Sequence, residues 1–441
     1  MDFNYKQIWI IAYPILISLL MEHLINITDT AFLGHIGEVE LGASALAGVF
    51  YMAIYMLGFG FSIGVQILIA RRNGEGNYRE IGNLFTQGAC FLLLLATALF
   101  FACEYFVSSV LRFWISSEQV YEATVAYLEW RRFGFFFSFL AILFRAFYIG
   151  ITETRTLTWN SMVMVLSNIV FNYILIFGKL GFPALGIAGA AIGSSLAELV
   201  SLLFYGVYTW IKIDRNKYGL FQHVKFSFSA FKRIWNISSW TMLQSVLFPL
   251  QWFLFFIAIE HLGERPLAIA NIMRSINTCF CMVIFAFADT VSSVVSNLLG
   301  SGKGKKEVWD ICKKAIRLAY WIGIPFLLLA GLFPSALLQV YTNNEELIRA
   351  ALPTTYVMLF GYFLSAPGLI LFNAVSGTGN TNKSMKIMAV TILAYILYVI
   401  VWVMYVKVNV SIAWTSEYVY GGMLLTLSFW YLKTQPWKAR S

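Results

Sequence analysis

Residues 14–37, PILISLLMEHLINITDTAFLGHIG, form an apolar stretch long enough to cross a bilayer, yet the stretch contains Glu22 and Asp29. A carboxylate at membrane depth is costly unless it faces water, finds a partner or takes up a proton, so it marks a functional site. Ser18, Glu22, Asn26 and Asp29 follow one another at steps of four, four and three residues, which places them on one face of a helix. The stretch therefore predicts a membrane helix with one polar face.

The composition excludes a soluble globular protein. Of the 441 residues, 59% are apolar and 12% are charged, and the mean hydropathy is +0.73. Lys and Arg exceed Asp and Glu by 31 to 22, but cytoplasmic loops of membrane proteins are selectively enriched in Lys and Arg. We therefore expect a polytopic membrane protein without a nucleic-acid partner.

Breaks rich in charge, Gly, Asn or Pro divide the chain into twelve apolar segments, each about 20 residues or longer. The connections are short except for a basic segment, Lys212–Arg233, after the sixth span. This pattern predicts an all-α integral membrane fold of twelve transmembrane helices. We expect an N-lobe at 1–211 (spans 1–6), a cytoplasmic basic linker at 212–233 and a C-lobe at 234–441 (spans 7–12).

The charges in the connections predict the orientation. Basic residues occupy alternate connections and the C-terminus, at Arg71, Arg72, Arg79, Arg155, the 212–233 linker, Lys303, Lys305, Lys306, Lys383, Lys386 and Lys433. The intervening connections carry acids, at Glu38, Glu40, Glu118, Glu122, Glu264, Glu345 and Glu346. By the positive-inside rule, we expect both termini and the linker to be cytoplasmic and the protein to be a multi-pass protein of the plasma (inner) membrane.

The two predicted lobes share an internal repeat. VLRFWISSEQVYEA at 110–123 matches LLQVYTNNEELIRA at 337–350 with a shift of 227 residues, and the same shift places Gly134 on Gly361. Two six-span lobes that start with the same orientation form a parallel repeat, related by a pseudo-two-fold axis along the membrane normal. Transporters built in this way hold the substrate between the lobes.

Five motifs in this order give the chain a resemblance to a known family. They are DTAFLGHIGEVELGASALAG from Asp29, RRNGEGN after the second span, YIGITETRT at the end of the fourth, SNIVFNYILIFGKLGFPALGIAGAAIGSS across the fifth and sixth, and VSGTGNTNKS after the tenth. With the twelve spans and the repeat, the whole chain resembles the multidrug and toxic compound extrusion (MATE) family. The resemblance implies a cation-coupled exporter that alternates between inward-open and outward-open forms.

The resemblance also implies a cation-coupling site around the aspartate of the first span. On this chain the site residues are Asp29, Asn168, Asn172 and Ser194. The predicted direction of each span places all four in the outer half of the membrane, with the two asparagines one helical turn apart. Such a cluster would bind Na⁺ through oxygen atoms, or exchange a proton at the acid.

The chain combines features of two branches of the family. Asn172 resembles the NorM-like branch, because DinF-like members carry an aspartate at this position. The carboxylates of NorM-like members in spans seven and ten are missing near 248–251 and Ser365. Glu198 and Asp289 are DinF-like. We therefore predict no C-lobe cation site of the NorM type.

Further polar residues are candidates for lining the substrate cavity, and two prolines are candidates for the positions where helices bend. The cavity candidates are Glu22, Asn26, Glu198, Gln244, Gln251 and Asp289. Glu22 is either a substrate or proton ligand, or a neutral acid bonded to a neighbouring helix. Pro14 and Pro249 are the candidate hinges, because proline removes a helical hydrogen bond. Arg145 is expected to extend toward the cytoplasmic interface.

These observations predict secondary active efflux of amphipathic organic cations, driven by inward flow of H⁺ or Na⁺. We expect no cofactor beyond the coupling ion, no partners other than membrane lipids and small-molecule substrates, and a monomer. One alternative is a flippase for lipid-linked oligosaccharides, although few basic residues are predicted inside the membrane. The other is an integral-membrane enzyme, but no catalytic or metal-binding constellation occurs in the spans, and the four histidines are dispersed.

Overall fold

The computed structural model describes residues 3–222 and 227–434. The first half of this part contains eight helices: α1 Tyr5–Gly34, α2 Glu38–Glu75, α3 Tyr78–Trp114, α4 Glu118–Arg131, α5 Gly134–Gly150, α6 Arg155–Phe177, α7 Gly186–Lys212 and the short α8 Arg215–Tyr218. The linker predicted at 212–233 includes residues 223–226, and the predicted cytoplasmic C-terminus includes residues 435–441; both segments lie outside the described residues.

The second half of the described part contains eight further α-helices. Its helices are α9 Phe228–Glu260, α10 Glu264–Gly300, α11 Lys305–Leu332, the short α12 Pro334–Gln339, α13 Glu345–Gly377, α14 Thr381–Tyr398 with a π-helical continuation Val399–Tyr405, α15 Val410–Trp414 and α16 Ser416–Thr434. Across the described ranges the regular secondary structure is entirely helical.

The helices account for the twelve predicted spans. Within the described ranges, ten helices are long and apolar enough to cross a membrane. The pair α4 and α5 passes the same test when taken together, with a bend of 53° at the break between them. The region predicted as the twelfth span contains α15 and α16. The chain is thus a multi-pass, all-α membrane protein.

Short polar residues and glycines end the helices where the sequence predicts breaks. Ser117 and Asn344 precede α4 and α13, and their side chains accept hydrogen bonds from the backbone N–H groups of Val120 and Leu347. Gly178 follows α6 with a φ of 68°, a left-handed conformation in which a side chain would be strained.

The chain forms two compact units. The N-terminal unit consists of Ile17–Ser245, and the C-terminal unit consists of Met1–Leu16 with Val246–Ser441. The boundary therefore falls inside α1 and inside α9. Pro14 lies in α1 two residues before this boundary, and Pro249 lies in α9 three residues after it.

Small residues bring α6 and α7 of the N-terminal unit into close contact. Gly189 and Gly193 are four residues apart, the spacing that lets the backbones of membrane helices approach each other. A Cβ atom at Gly189 would lie 2.5 Å from the backbone carbonyl oxygen of Leu175, which is too close for any real side chain. This contact fixes the α6–α7 spacing on which the site described below depends.

We predict that Gly189→Ala destabilises the protein by about 1–3 kcal/mol, because the added methyl group forces α7 away from α6. The matched control is Gly206→Ala on the same helix, where no atom lies within 4 Å of the new Cβ. Gly206→Ala should be neutral or slightly stabilising, since Ala is the better helix former. Thermal unfolding of both purified variants in detergent measures the difference, and equal melting temperatures would contradict the close-packing account.

Candidate functional site

The predicted cation-coupling residues form one hydrogen-bonded cluster in the N-terminal unit. Asp29, near the end of α1, accepts a hydrogen bond from Asn172 Nδ2 at 2.6 Å and another from Ser194 Oγ at 3.3 Å. Asn168 links these two partners, because its Oδ1 accepts from Asn172 Nδ2 and its Nδ2 donates to Ser194 Oγ, both at 3.2 Å. The cluster therefore joins α1, α6 and α7 through four side chains.

The chemistry of this cluster fits a monovalent cation. Asn168 and Asn172 are buried, and among the described residues Asn172 Oδ1 has no hydrogen-bond partner. A buried amide oxygen without a partner is costly, and a hard cation or an ordered water molecule would satisfy it. Gly193 leaves room for the amide, because a Cβ there would overlap Asn172 Oδ1. Both Na⁺ and a proton on Asp29 are compatible with these groups.

A buried ion pair lies beside the cluster. Arg131, the last residue of α4, binds Glu198 of α7 in a bidentate geometry, with Nη1–Oε2 and Nη2–Oε1 distances of 2.7 Å and 2.5 Å. Tyr51 of α2 donates a hydrogen bond to Glu198 Oε1 at 3.1 Å. The guanidinium of Arg131 also lies over the Tyr51 ring, 3.8 Å from its centroid. Charge pairing, hydrogen bonding and stacking thus fix the Glu198 carboxylate.

The break between α4 and α5 makes this ion pair possible. Arg131 is followed by the 53° bend, and a Cβ atom on Gly134, the first residue of α5, would overlap Arg131 Nη1. Glycine at this position therefore gives the guanidinium the space to reach Glu198. The bend divides the helical segment that corresponds to the fourth predicted span. In membrane proteins, broken helices of this kind occur where they are buried in protein or line a polar site.

The ion pair and the cation cluster interact electrostatically. Arg131 lies within electrostatic reach of Asp29 as well as of Glu198. With both acids ionised, the three side chains carry a net charge of minus one. One proton or one Na⁺ at Asp29 would make the group neutral. The arrangement therefore matches the uptake of a single monovalent cation.

Sequence reasoning did not identify Arg131 or Tyr51. Arg131 precedes Arg132, and the pair falls within the first third of the fourth predicted span, which was the available signal for a buried base. Glu198 was the candidate acid in the span that packs beside it. Tyr51 carried no signal, because it is one of 23 tyrosines in an aromatic-rich chain.

The N-terminal part of the α1 polar face belongs to a different set of contacts. Ser18 Oγ lies 2.7 Å from Ser161 Oγ of α6 and donates to Glu22 Oε1 at 3.4 Å. Glu22 and Asn26 are exposed. The expectation that Arg145 extends to the interface is wrong, since it is buried at 8% exposure, with Cζ 5.5 Å from the Phe59 ring centroid. This base therefore lies inside the unit, next to an aromatic ring.

The remaining candidates lie on α9 and α10, in both compact units. Gln244 is buried in the part of α9 that belongs to the N-terminal unit. Gln251, also on α9, is buried in the C-terminal unit, and Asp289 on α10 is half-buried there. The cavity roles of these three residues remain predictions. Glu417 on α16, which the sequence reasoning did not single out, adds a further acid to the C-terminal unit.

The all-α multi-pass fold and the two neighbouring acids, Asp29 and Glu198, are features of a polytopic membrane transporter. The MatE family profile matches residues 14–174 and 241–429. The chain therefore belongs to the MatE family, whose members are transporters and not enzymes.

Curated relatives agree with this assignment. A probable multidrug resistance protein NorM from Thermotoga maritima is 24% identical over 441 residues, covering 99% of this chain and 94% of that protein. A protein of the same name from Synechocystis sp. is 25% identical and covers 85% of this chain and 82% of its own length.

Solved structures confirm the predicted fold class of twelve transmembrane helices in two lobes. A multidrug resistance MATE family transporter of the MOP superfamily, in an outward-facing conformation, has a TM-score of 0.88 at 19% identity and covers 98% of this chain and 97% of its own. A MOP superfamily transporter from Pyrococcus furiosus has a TM-score of 0.87 at 19% identity, with coverage of 97% and 95%.

We predict that Arg131→Met destabilises the protein by about 3–5 kcal/mol, because Glu198 is left buried without its counter-charge. The double variant Arg131→Met/Glu198→Met should recover most of this loss, since it removes both charges. Thermal unfolding in detergent measures the effect.

Arg112→Met is the matched control, because Arg112 forms an exposed ion pair with Glu118 in the same unit. Its effect should stay within about 1 kcal/mol. If Arg131→Met is as mild as Arg112→Met, or if the double variant is the least stable of the three, the buried pair does not have the role assigned to it.

Proposed function

We propose that this protein is a secondary active exporter of amphipathic organic cations, driven by inward flow of one monovalent cation, H⁺ or Na⁺. Asp29, Asn168, Asn172 and Ser194 would form the coupling site. The observation that carries this proposal is the charge balance of Asp29, Glu198 and Arg131, which one cation neutralises. The Asp29 carboxylate can be neutralised by H⁺ or Na⁺, whereas Glu198 already has its counter-charge.

The free-energy cost of burying the charged Asp29 carboxylate would link ion binding to the access state, inward-open or outward-open, of the transporter. An ionised Asp29 requires water or a cation, whereas a neutral Asp29 can remain buried. A cation that binds one access state more tightly than the other shifts the population toward that state. A preference of about 5.5 kcal/mol would move the equilibrium from 1:99 to 99:1.

Pro14 and Pro249 are proposed as the hinges of this change. Each proline interrupts the hydrogen bonding of a helix that passes from one compact unit into the other. Bending at these points changes the direction of α1 or α9 while leaving each unit intact. Since Asp29 lies on α1, a change at the ion site acts on a hinged helix.

The relatives support organic compounds as substrates, because those proteins are named as probable multidrug resistance proteins. Glu22 and Asn26 are exposed on α1, and Glu22 offers a negative charge to a cationic substrate. The other proposed cavity residues are polar side chains within the spans, namely Gln244, Gln251 and Asp289. We further propose that the protein acts as a monomer in the plasma membrane, surrounded by lipid, with both termini cytoplasmic and without nucleic acid or an organic cofactor.

A lipid-linked oligosaccharide flippase is the alternative with an observation behind it, because Arg131 and Arg145 are buried bases. A pyrophosphate headgroup would require available positive charge. Arg131 is instead bound to Glu198 by both guanidinium nitrogens. The geometry therefore supports cation-coupled efflux better than recognition of an anionic headgroup.

Gradient-driven transport in liposomes tests the proposal. The purified protein is reconstituted, a pH gradient or a Na⁺ gradient is imposed separately, and export of a fluorescent cationic dye is followed. We expect one of the two gradients to accelerate export, which also identifies the ion. Export that responds to neither gradient would contradict cation coupling.

We predict that Asp29→Asn abolishes gradient-driven dye export while the protein still folds, because asparagine keeps the shape of the side chain but cannot be charged. Glu118→Gln is the matched control, since Glu118 is an exposed acid in the same unit. Its export should equal that of the wild type. Normal export by Asp29→Asn at equal reconstitution would remove Asp29 from the coupling role.

A further inference from the structure

The beginning of α11 borders a cleft of the C-terminal unit with a volume of about 610 Å³. This volume lies within the roughly 300–1,000 Å³ that is typical of small-molecule sites. The wall of the cleft combines basic and apolar side chains, among them Lys306, Lys313, Lys314, Phe3, Trp309 and Ile311. Such a lining suits a ligand that is negatively charged and partly apolar.

The acids around this cleft do not balance its bases. Asp310 is paired with Lys314, because Asp310 Oδ2 lies 2.6 Å from Lys314 Nζ. Glu307 Oε2 accepts a hydrogen bond from the backbone N–H of Gly304 at 3.0 Å. The cleft and the next turn of α11 contain these two acids and four bases, namely Lys306, Lys313, Lys314 and Arg317. Their net charge is therefore plus two.

Three of these bases form an exposed basic stripe on α11, consisting of Lys306, Lys313 and Arg317. Steps of seven and four residues place them on one face of the helix. Neither Lys306 nor Lys313 forms an ion pair within the part of the chain that the structure describes. Arg317 Nη1 donates a hydrogen bond to the neutral hydroxyl of Tyr5 at 2.9 Å. The basic stripe can therefore bind an anion from outside the chain.

The membrane surface begins one helical turn beyond the basic stripe. Trp321 is 68% exposed, and its ring stacks on that of Tyr5 with the centroids 6.0 Å apart. Exposed apolar side chains follow on α11, at Phe326, Leu328, Leu329 and Leu332. An exposed Trp at the border of an apolar surface is typical of the membrane–water interface. Arg317 and Lys313 precede Trp321 by about 6 and 12 Å of helix rise, which places them at the level of the lipid headgroups and just beyond it.

The internal repeat shows what lies at the corresponding place in the N-terminal unit. The shift of 227 residues places Tyr78, the first residue of α3, on Lys305, the first residue of α11, and places Gly82 on Trp309. A Cβ on Gly82 would lie 2.1 Å from the backbone oxygen of Gly219, which directly follows α8. The chain thus covers the beginning of α3 itself, whereas Trp309 on α11 lines a cleft.

Charge and position distinguish between possible ligands of the cleft. Residues 435–441, which follow α16, include Lys438 and Arg440 but no acidic side chain, so their side chains do not supply the negative charge. A soluble phosphate compound would match the bases but not the apolar wall. An anionic phospholipid would place its phosphate at the basic stripe and its acyl chains along the exposed apolar part of α11. Position and charge therefore favour the lipid.

We propose that the cleft at the beginning of α11 binds the headgroup of an anionic phospholipid, with the basic stripe facing its phosphate. Lys and Arg bind phosphate through charge-assisted hydrogen bonds. Basic pockets on the cytoplasmic side of membrane proteins bind anionic headgroups in this way, and this is the side that the sequence predicts for the α10–α11 connection. The lipid site belongs to the C-terminal unit, whereas the Asp29 cluster belongs to the N-terminal unit. Lipid binding is independent of the proposed efflux activity.

Binding of radiolabelled dioleoylphosphatidylglycerol to the purified full-length protein in detergent micelles tests the site. We expect saturable binding that unlabelled dioleoylphosphatidylglycerol displaces. Dioleoylphosphatidylcholine, which has the same acyl chains but no net charge, should not displace it, and neither should inorganic phosphate or glycerol 3-phosphate. Displacement by either soluble phosphate would assign the cleft to a soluble ligand, and equal displacement by the two lipids would show that charge is not recognised. Each of these results overturns the proposal.

The double variant Lys306→Gln/Lys313→Gln should weaken binding about tenfold or more, because it removes two positive charges from the site. Arg317→Gln alone should also weaken it, as a separate test of the basic stripe. Lys386→Gln is the matched control, since Lys386 is an exposed base of the same unit that does not line the cleft.

All these substitutions are at exposed positions, so the melting temperatures in phosphatidylcholine-containing micelles should equal that of the wild type. Lys386→Gln should leave the affinity for dioleoylphosphatidylglycerol unchanged. The proposal is overturned if the double variant and Arg317→Gln both bind like the wild type, or if Lys386→Gln weakens binding as much as they do. Loss of gradient-driven dye export with intact lipid binding would count against the proposed function alone.

Discussion

The cost of burying charge among apolar helices is the constraint on which the N-terminal unit depends. Arg131 and Glu198 satisfy it directly, because two parallel hydrogen bonds, the Tyr51 hydroxyl and the Tyr51 ring surround the pair. Asp29 satisfies it only in part, since its partners Asn172 and Ser194 are neutral. The structure thus separates an acid with a bound counter-charge, Glu198, from an acid with neutral hydrogen-bond partners, Asp29. That difference is the basis for proposing different roles for the two carboxylates.

Close helix packing maintains this separation. Gly193 admits the Asn172 amide between α6 and α7, and Gly134 admits the Arg131 guanidinium at the start of α5. In both cases the missing side chain leaves space for a polar group of the site. The glycines therefore determine where the Asn172 amide and the Arg131 guanidinium can lie. Since packed helices have few alternative arrangements, a displacement of α7 would disturb Ser194 and Glu198 together.

The spans could be predicted from apolar length alone, whereas the Asp29 cluster was predicted because the resemblance to the MATE family implies its four residues. Apolar length defines each helix, and the direction of each span places Asn168, Asn172 and Ser194 at the depth of Asp29. The position of Arg131 could not be predicted in the same way. It depends on the α4–α5 bend and on the space beside Gly134, and neither can be inferred from the sequence alone. Arg145 was misplaced because its charge suggested an interface, whereas the side chain is buried beside the Phe59 ring. Glu417 was missed because its neighbours Gln251 and Tyr395 come from distant parts of the chain.

The central claim is that substrate export is linked to exchange of one cation at Asp29. It is tested most directly by adding tetraphenylphosphonium, an amphipathic organic cation, to the purified protein in weakly buffered, cation-loaded detergent solution. Released H⁺ and Na⁺ are counted with ion-selective dyes. The account predicts that the wild type releases one cation more per protein than Asp29→Asn does. Equal release from the wild type and from Asp29→Asn, at equal tetraphenylphosphonium occupancy, would contradict it.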